Sequence, residues 1–223
     1  MEFITIYRFL GAESGLKTIE GNSLRIGRLK ELNDPFEWLP AIVNQSGTNE
    51  EKEFNEWCLE RYTNQLHDKY GLLCFTEKMS DPLFWSHYAD SHRGMALQVD
   101  YFLDGSLEKV IYKEERPTFD RSLLQNSERK HEILEAIKDS IIHKSPSWSY
   151  ESEWRLFIEL AKCYTSQGMY FTKIKSDFLK KVILGIRCPY SVQYIRKALD
   201  SAGHEDVEVV RAERDQLSYK IKC

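Results

Sequence analysis

Trp148-Ser149-Tyr150-Glu151-Ser152-Glu153-Trp154-Arg155-Leu156-Phe157-Ile158 sets two carboxylates two residues apart among two tryptophans, a tyrosine and an arginine, and then runs straight into three apolar residues. The apolar run reads as a strand, so the charged residues stand at its mouth. An ordinary strand entry with solvated charges would look similar. Aromatic rings, however, mark a packed or binding surface. Charges set among them are half-buried and must be paired or used. If strand geometry already holds at Glu151, then Glu151 and Glu153 face one side with Arg155 in line below them. The ends of strands also suit a site, because sheet pairing fixes the direction of their side chains.

The chain around this segment is 223 residues long, with 42% hydrophobic and 13% aromatic residues and a formal net charge of -4. That supports one domain, 1–223, with a sizeable core. The mixed charges argue against a DNA-coating surface and give no strong nucleic-acid signal, although a local basic patch stays open. No apolar run is long enough to span a membrane, and Met1-Glu2-Phe3-Ile4 has no signal-peptide pattern. Five scattered cysteines, none in a C-x-x-C pair, fit reduced thiols in a cytoplasmic protein.

Just upstream, 127–143 has helical spacing with Ile133, Leu134, Ile137 and Ile141 on one face, and Lys144-Ser145-Pro146 closes it. Glu51 to Tyr70 reads as a second long helix. Its Phe54, Trp57, Cys58, Tyr62 and Leu66 are expected in the core, and Gly71 is expected to end it. Further strands are expected at 3–10, 24–28, 72–75, 95–100, 107–112, 169–172 and 181–186, with those around 72–75, 95–100 and 154–160 central. Ser14 is expected to cap a short helix near the N-terminus, and Ser191 one near the C-terminus. Residues 44–50 read as a loop, and 207–212 with 217–221 as a terminal hairpin. The sum is an α+β domain with a mixed, strongly bent sheet flanked by helices.

Two further segments carry candidate chemistry. Asn33-Asp34-Pro35-Phe36-Glu37 is a turn, since Pro35 disfavours helix at Asp34, and it could deliver Asp34 or Glu37 to a site. Asp81 to Gly94 holds a short helix starting at Pro82 and a loop with Trp85, His87, Tyr88, His92 and Arg93. His87 and His92 lack the i, i+4 spacing of helical metal pairs, so no metal is assigned. Arg8, Trp85, His87, Tyr88 and Arg155 are expected to share one cleft with Glu153.

The motifs Tyr7-Arg8-Phe9, Asn33-Asp34-Pro35-Phe36-Glu37, Cys74-Phe75-Thr76, Trp85-x-His87-Tyr88-Ala89-x-x-His92-x-Gly94 and Trp148-x-Tyr150-Glu151-x-Glu153-Trp154-Arg155 resemble, in that order, the bacterial family called domain of unknown function twenty-nine seventy-one. A second resemblance is to ADP-ribosyltransferases of the Arg-Ser-Glu type. An arginine on a first strand, a small hydroxyl after a middle strand and an E-x-E before a later one map onto Arg8, Thr76 and Glu151-Ser152-Glu153. Thr76 stands where that type has serine, and its glycine segments are not evident here.

The second resemblance implies a compact α/β fold that cleaves NAD, used as substrate, at the nicotinamide–ribose bond, or a related NAD glycohydrolase. It implies Glu153, Glu151, Arg8 and Thr76 as catalytic. Tyr7, Arg8, Trp85, His87, Tyr88, His92 and Arg155 would hold the nucleotide. Relatives of this kind include toxins and phage-defence effectors, with a macromolecular acceptor left open. The alternatives are a non-catalytic nucleotide- or peptide-binding module, and a metal-dependent nuclease built on Asp34, Glu37, Glu151 and Glu153.

Overall fold

The computed structural model describes residues 2–43, 47–125, 127–174 and 178–223. The strands in chain order are β1 (Phe3–Leu10), β2 (Ser23–Arg28), β3 (Ala41–Val43), β4 (Tyr70–Thr76), β5 (Met95–Phe102), β6 (Leu107–Lys109), β7 (Ile111–Tyr112), β8 (Thr118–Asp120), β9 (His143–Lys144), β10 (Glu153–Glu159), β11 (Tyr164–Ser166), β12 (Met169–Lys173), β13 (Leu179–Leu184), β14 (Glu208–Arg211), β15 (Glu213–Arg214) and β16 (Ile221–Lys222). The helices are α1 (Ala12–Glu20), α2 (Asn49–Lys69), α3 (Pro82–His87), α4 (Lys130–Ile141) and α5 (Val192–Ser201).

Ten strands make one sheet, in which β11-β12-β2-β4-β1-β5-β13-β14 are neighbours in that order and β10 joins β4 to β6. The pair β13–β14 is parallel and its neighbours are antiparallel, so the sheet is mixed and the class is α+β. Strand β4 is the junction. Along one edge it pairs with the whole of β10. Along the other, β1 meets it only at Tyr7↔Thr76, and β2 only at Gly27↔Leu72 and Arg28↔Gly71. The sheet therefore forks between β1 and β2. A Cβ on Gly71 would lie 2.3 Å from Ile26 Cγ2 and 2.8 Å from the Gly27 carbonyl oxygen, so only glycine lets β2 come this close.

The core lies on both faces of β4. Leu72 packs with Leu59 and Leu66 of α2 and Ile133 and Ile137 of α4. Leu73 and Phe75 pack in a second cluster with Ile19 of α1 and with Ile195 and Leu199 of α5. Burial on both faces explains why 72–75 is continuously apolar rather than alternating. Each wholly buried isoleucine contributes about 1.5–3 kcal/mol relative to an exposed one. Among the described residues no helix is long and apolar enough to cross a membrane.

Several local expectations change. Gly11, not Ser14, precedes α1, and Ser14 lies inside the helix. Tyr70 closes α2, while Gly71 is already strand. The buried stripe of α2 is Asn55, Cys58, Leu59, Thr63 and Leu66. Phe54 and Trp57 are instead 56% and 53% exposed, stacked on each other at 5.9 Å. The stretch 107–112 divides into β6 and β7, which join different partners. The C-terminal hairpin is only β15 with β16, because β14 leaves it to extend the main sheet beside β13. Of the loop expected at 44–50, positions 44–46 lie outside the described residues, and α2 already begins at Asn49 behind the capping box of Thr48 and Glu51.

Candidate functional site

Pro146–Glu151 forms a 3-10 turn rather than strand, opened by Ser145, whose hydroxyl accepts from the Ser147 N–H at 3.4 Å. Ser152 then takes a left-handed conformation, φ 42° and ψ 51°, and β10 begins at Glu153. A non-glycine residue there is uncommon and mildly strained. It stands at the bend that turns both carboxylates toward one cation. Lys144 Nζ, carried by β9, lies 2.7 Å from Glu151, 3.2 Å from Glu37 and 3.4 Å from Glu153. Strand geometry thus does not reach Glu151, and Glu151 and Glu153 share a side for a different reason.

Arg155 lies below them, wholly buried. Its Nε donates to Glu153 Oε1 at 2.9 Å and its Nη2 to Glu153 Oε2 at 2.8 Å. The same guanidinium also reaches Glu37 and the Ile141 carbonyl. The fork of Arg155 is thereby matched bidentately by Glu153. Tyr88 donates its phenol hydrogen to Glu151 Oε1. Every carboxylate oxygen of Glu37, Glu151 and Glu153 is engaged by a donor or cation. A cluster this buried is tolerable only because each charge is answered.

The two glutamates of the E-x-E are pushed apart electrostatically. Burial raises the Glu151 carboxyl above its ordinary value, and the Lys144 ammonium and the bonds from Lys144 and Tyr88 offset only part of that. Burial is also the largest single influence on Glu153, but the charge and hydrogen bonds of Arg155, with the Lys144 ammonium and the Cys74 thiol, together outweigh it and hold the carboxyl below the usual range. For Lys144, burial favours the neutral amine, yet the three carboxylates win and move the group upward. Burial also lifts the Cys74 thiol, which keeps it protonated.

Above the cluster opens a cleft of about 220 Å³. Of the residues expected at a site, Tyr7, Arg8, Thr76, Tyr88, Glu151, Glu153 and Arg155 line it, together with Glu37 and Lys144. Register explains the convergence: Tyr7 is opposite Thr76 on β4, and Thr76 is opposite Glu153 on β10. Arg8 reaches into the fork of the sheet, its Nη1 donating to the Cys74 carbonyl at 3.3 Å and its Nη2 to the Arg25 carbonyl at 3.1 Å. Its Nε is buried without a partner, and among the described residues no carboxylate pairs with it. Burial lowers its pKa from the ordinary arginine value, though a guanidinium stays charged. The Thr76 hydroxyl donates to the Glu151 carbonyl at 2.6 Å and accepts from the Lys78 N–H at 2.9 Å, fixing the E-x-E backbone.

Three expected residues stand elsewhere. Trp85 is fully buried, bonded to the Met79 carbonyl at 2.8 Å and set edge-on to Phe9, so it is core. His87 is exposed beside Tyr150, 3.3 Å from its hydroxyl. His92 stacks on Trp85 and contacts Ser86 on the far side of α3. The six-residue α3 turns its successive side chains to different surfaces, and only Tyr88 at its end reaches the cleft. Asp34 is buried, accepts from the Phe36 N–H at 2.9 Å to fix the turn, and leaves Glu37 to enter the cluster. Among the described residues no group of three or more His, Cys, Asp or Glu is arranged to hold a metal. Lys144 and Arg155 occupy the space between the acids. Lys144 was not a site candidate on sequence. It sits seven residues before Glu151, and only the pairing of β9 with β7 turns it inward.

The fold and cleft define an α+β protein with a charged site at the junction of a forked sheet. The model of a family described as "Protein of unknown function (DUF2971)" matches residues 84–156, and over that stretch the chain is similar to the family. The matched part includes Tyr88, Lys144, Glu151, Glu153 and Arg155. No curated protein and no solved structure matches the chain.

Proposed function

We propose that the cleft takes NAD as substrate and that the protein is an ADP-ribosyltransferase-like enzyme or an NAD glycohydrolase. One observation carries this reading: three adjacent strands, in the register Tyr7↔Thr76↔Glu153, bring Arg8, Thr76 and Glu153 into a single cleft. Arg8 is a guanidinium whose protein partners are two backbone carbonyls, which suits a diphosphate. Tyr7 and Tyr88 offer ring faces and a phenol to nicotinamide and its ribose. The volume falls below the roughly 300–1,000 Å³ of drug-sized ligand sites, so one end of the dinucleotide enters and the rest lies across the mouth.

Glu153 carries the chemistry in this proposal. Breaking the nicotinamide–ribose bond builds positive charge on the ribose, and an ionised carboxylate in a water-poor site stabilises that charge without reorganising. Arg155 and Lys144 keep Glu153 ionised, so both are positioning residues, and Arg155 is spent on Glu153 rather than on the nucleotide. Glu151 suits the later step of taking a proton from the acceptor, water or a macromolecular hydroxyl. The separation of the two carboxyl pKa directions supports this division of labour.

A second reading, a non-catalytic nucleotide-binding module, is favoured by the engagement of every carboxylate oxygen in the cluster. Incubation with NAD, with and without cell extract as acceptor, separates the two. Free nicotinamide resolved by chromatography supports the enzyme. Saturable NAD binding without nicotinamide supports the module.

A further inference from the structure

On the other side of α3 from the cleft lies a groove of about 780 Å³, lined by Arg187, Arg214, Lys220 and His92, with Leu217 and Tyr219 at its rim. Among the described residues, none of the three cations pairs with a carboxylate. Asp215, the acidic residue of the lining, is spent: Lys222 pairs with it, and the Leu217 and Ser218 N–H groups donate to it at 2.8 and 2.7 Å. The Lys222 contact and those backbone bonds depress its pKa strongly. The β15–β16 loop holds Leu217 and Tyr219 each 99% exposed, although both are large and apolar. The chain as a whole carries -4, so this is a local reversal of sign rather than a general basic surface.

We propose that this groove binds single-stranded nucleic acid. Unpaired cations tracking a backbone beside an exposed aromatic face are the two elements such binding uses. A concave groove on an acidic protein suits a thin flexible strand better than a flat anionic membrane or a stiff duplex, which would bring the remaining acidic surface close to charge of its own sign. The turn after α3 separates groove from cleft, with Tyr88 facing one and His92 the other. It is pinned by His92 N–H to the Trp85 carbonyl at 2.8 Å and Gly94 N–H to the Ala89 carbonyl at 2.7 Å. A strand held there lies beside the cleft as a candidate acceptor. That last role rests on the NAD reading, while the binding itself does not.

The test is fluorescence anisotropy with labelled single-stranded RNA and DNA oligonucleotides of mixed sequence, titrated with the full chain at several salt concentrations. With three phosphate contacts, log K should fall with log salt at a slope of about -2, and the double variant Arg187→Gln/Arg214→Gln should reduce that slope to about -0.7. Tyr219→Ala, at a fully exposed position that does not support the fold, should weaken binding by about 5- to 150-fold. The RNA and DNA arms name the polymer. Absence of binding at about 50 mM salt, equal affinity in all variants, or capture by phosphatidylserine vesicles but not by oligonucleotides would each overturn the proposal. Nicotinamide release is measured separately, so failure of the NAD reading leaves the binding result standing, and the reverse also holds.

Discussion

Lys144→Met probes the architecture of the cluster. The side chain is 4% exposed and lies 2.7 to 3.4 Å from three carboxylates that are themselves almost wholly buried. Methionine fills much of the volume, so the main loss is charge. Arg155 is then the one cation left beside Glu37 and Glu153 among the described residues, and Glu151 keeps only the Tyr88 hydroxyl. Removing one partner from such a buried set costs roughly 3–5 kcal/mol, which for a chain of this size lowers Tm by about 2–4 °C per kcal/mol.

The pH dependence gives the sharper signature. Wild-type Lys144 has a raised pKa, so its contribution is complete below the ordinary lysine value near 10.4 and disappears as pH rises through the higher folded value. Glu153 is depressed, so its contribution is present above the ordinary glutamate value near 4.3 and lost as pH falls through its lower folded value. Glu151, raised, acts in the opposite sense: its unfavourable burial is absent below the ordinary glutamate value, grows as pH rises past it and is complete above its higher folded value. The gap between wild type and variant should therefore be widest between these limits, narrowing toward acid as the carboxylates gain protons and toward strong alkali as the lysine ammonium loses its own. Urea melts followed by circular dichroism from about pH 2.5 to 11 measure it, a range that reaches past the ordinary glutamate and lysine values. A gap below about 1 kcal/mol, or one that does not change with pH, would refute the view that Lys144 answers buried charge.

Three further outcomes follow from the same contacts. Tyr88→Phe removes the phenol that donates to Glu151, so the already raised Glu151 carboxyl should titrate higher still; carbon-13 NMR of labelled glutamate reads this, and an unchanged or lower value contradicts it. Gly94→Ala would put a Cβ 2.0 Å from the Leu10 carbonyl oxygen, a backbone atom that cannot swing aside. Its unfolding free energy should fall by more than about 3 kcal/mol, and a near-neutral variant would mean that the contact between β1 and the α3–β5 turn is looser than described. Trp57→Gln, on the exposed face of α2, should change stability by less than about 0.5 kcal/mol; a large loss in thermal melts would return that ring to the core.

The strands were legible where burial made the pattern unambiguous. The run at 72–75, buried on both faces, and the apolar Leu156-Phe157-Ile158 located β4 and β10, and Ser191 marked the start of α5. The fork was not legible, because β1 and β2 share an edge of β4 through long-range register that no local pattern encodes. Phe54 and Trp57 misled for a related reason: aromatic residues at helical spacing mark a face, but the buried face of α2 also carries the polar Asn55 and Thr63 beside Leu59 and Leu66, and those two interrupt its apolar pattern. At the cleft, residue types identified Arg8, Tyr88, Glu151 and Glu153 as side chains to watch. Lys144 was invisible because its carbon stem and charge look like any helix-terminal lysine until β9 pairs with β7.

The central claim, that Glu153 is the carboxylate acting on NAD, is tested by nicotinamide release from wild type, Glu151→Gln and Glu153→Gln, with thermal melts as the folding control because Arg155 then depends on Glu37 alone among acids. Glu153→Gln should lose about 10²–10³-fold in rate while its melt confirms a folded protein. Glu151→Gln should keep more NAD cleavage than Glu153→Gln. Equal rates for wild type and folded Glu153→Gln, or no nicotinamide from wild type with any acceptor, would contradict it.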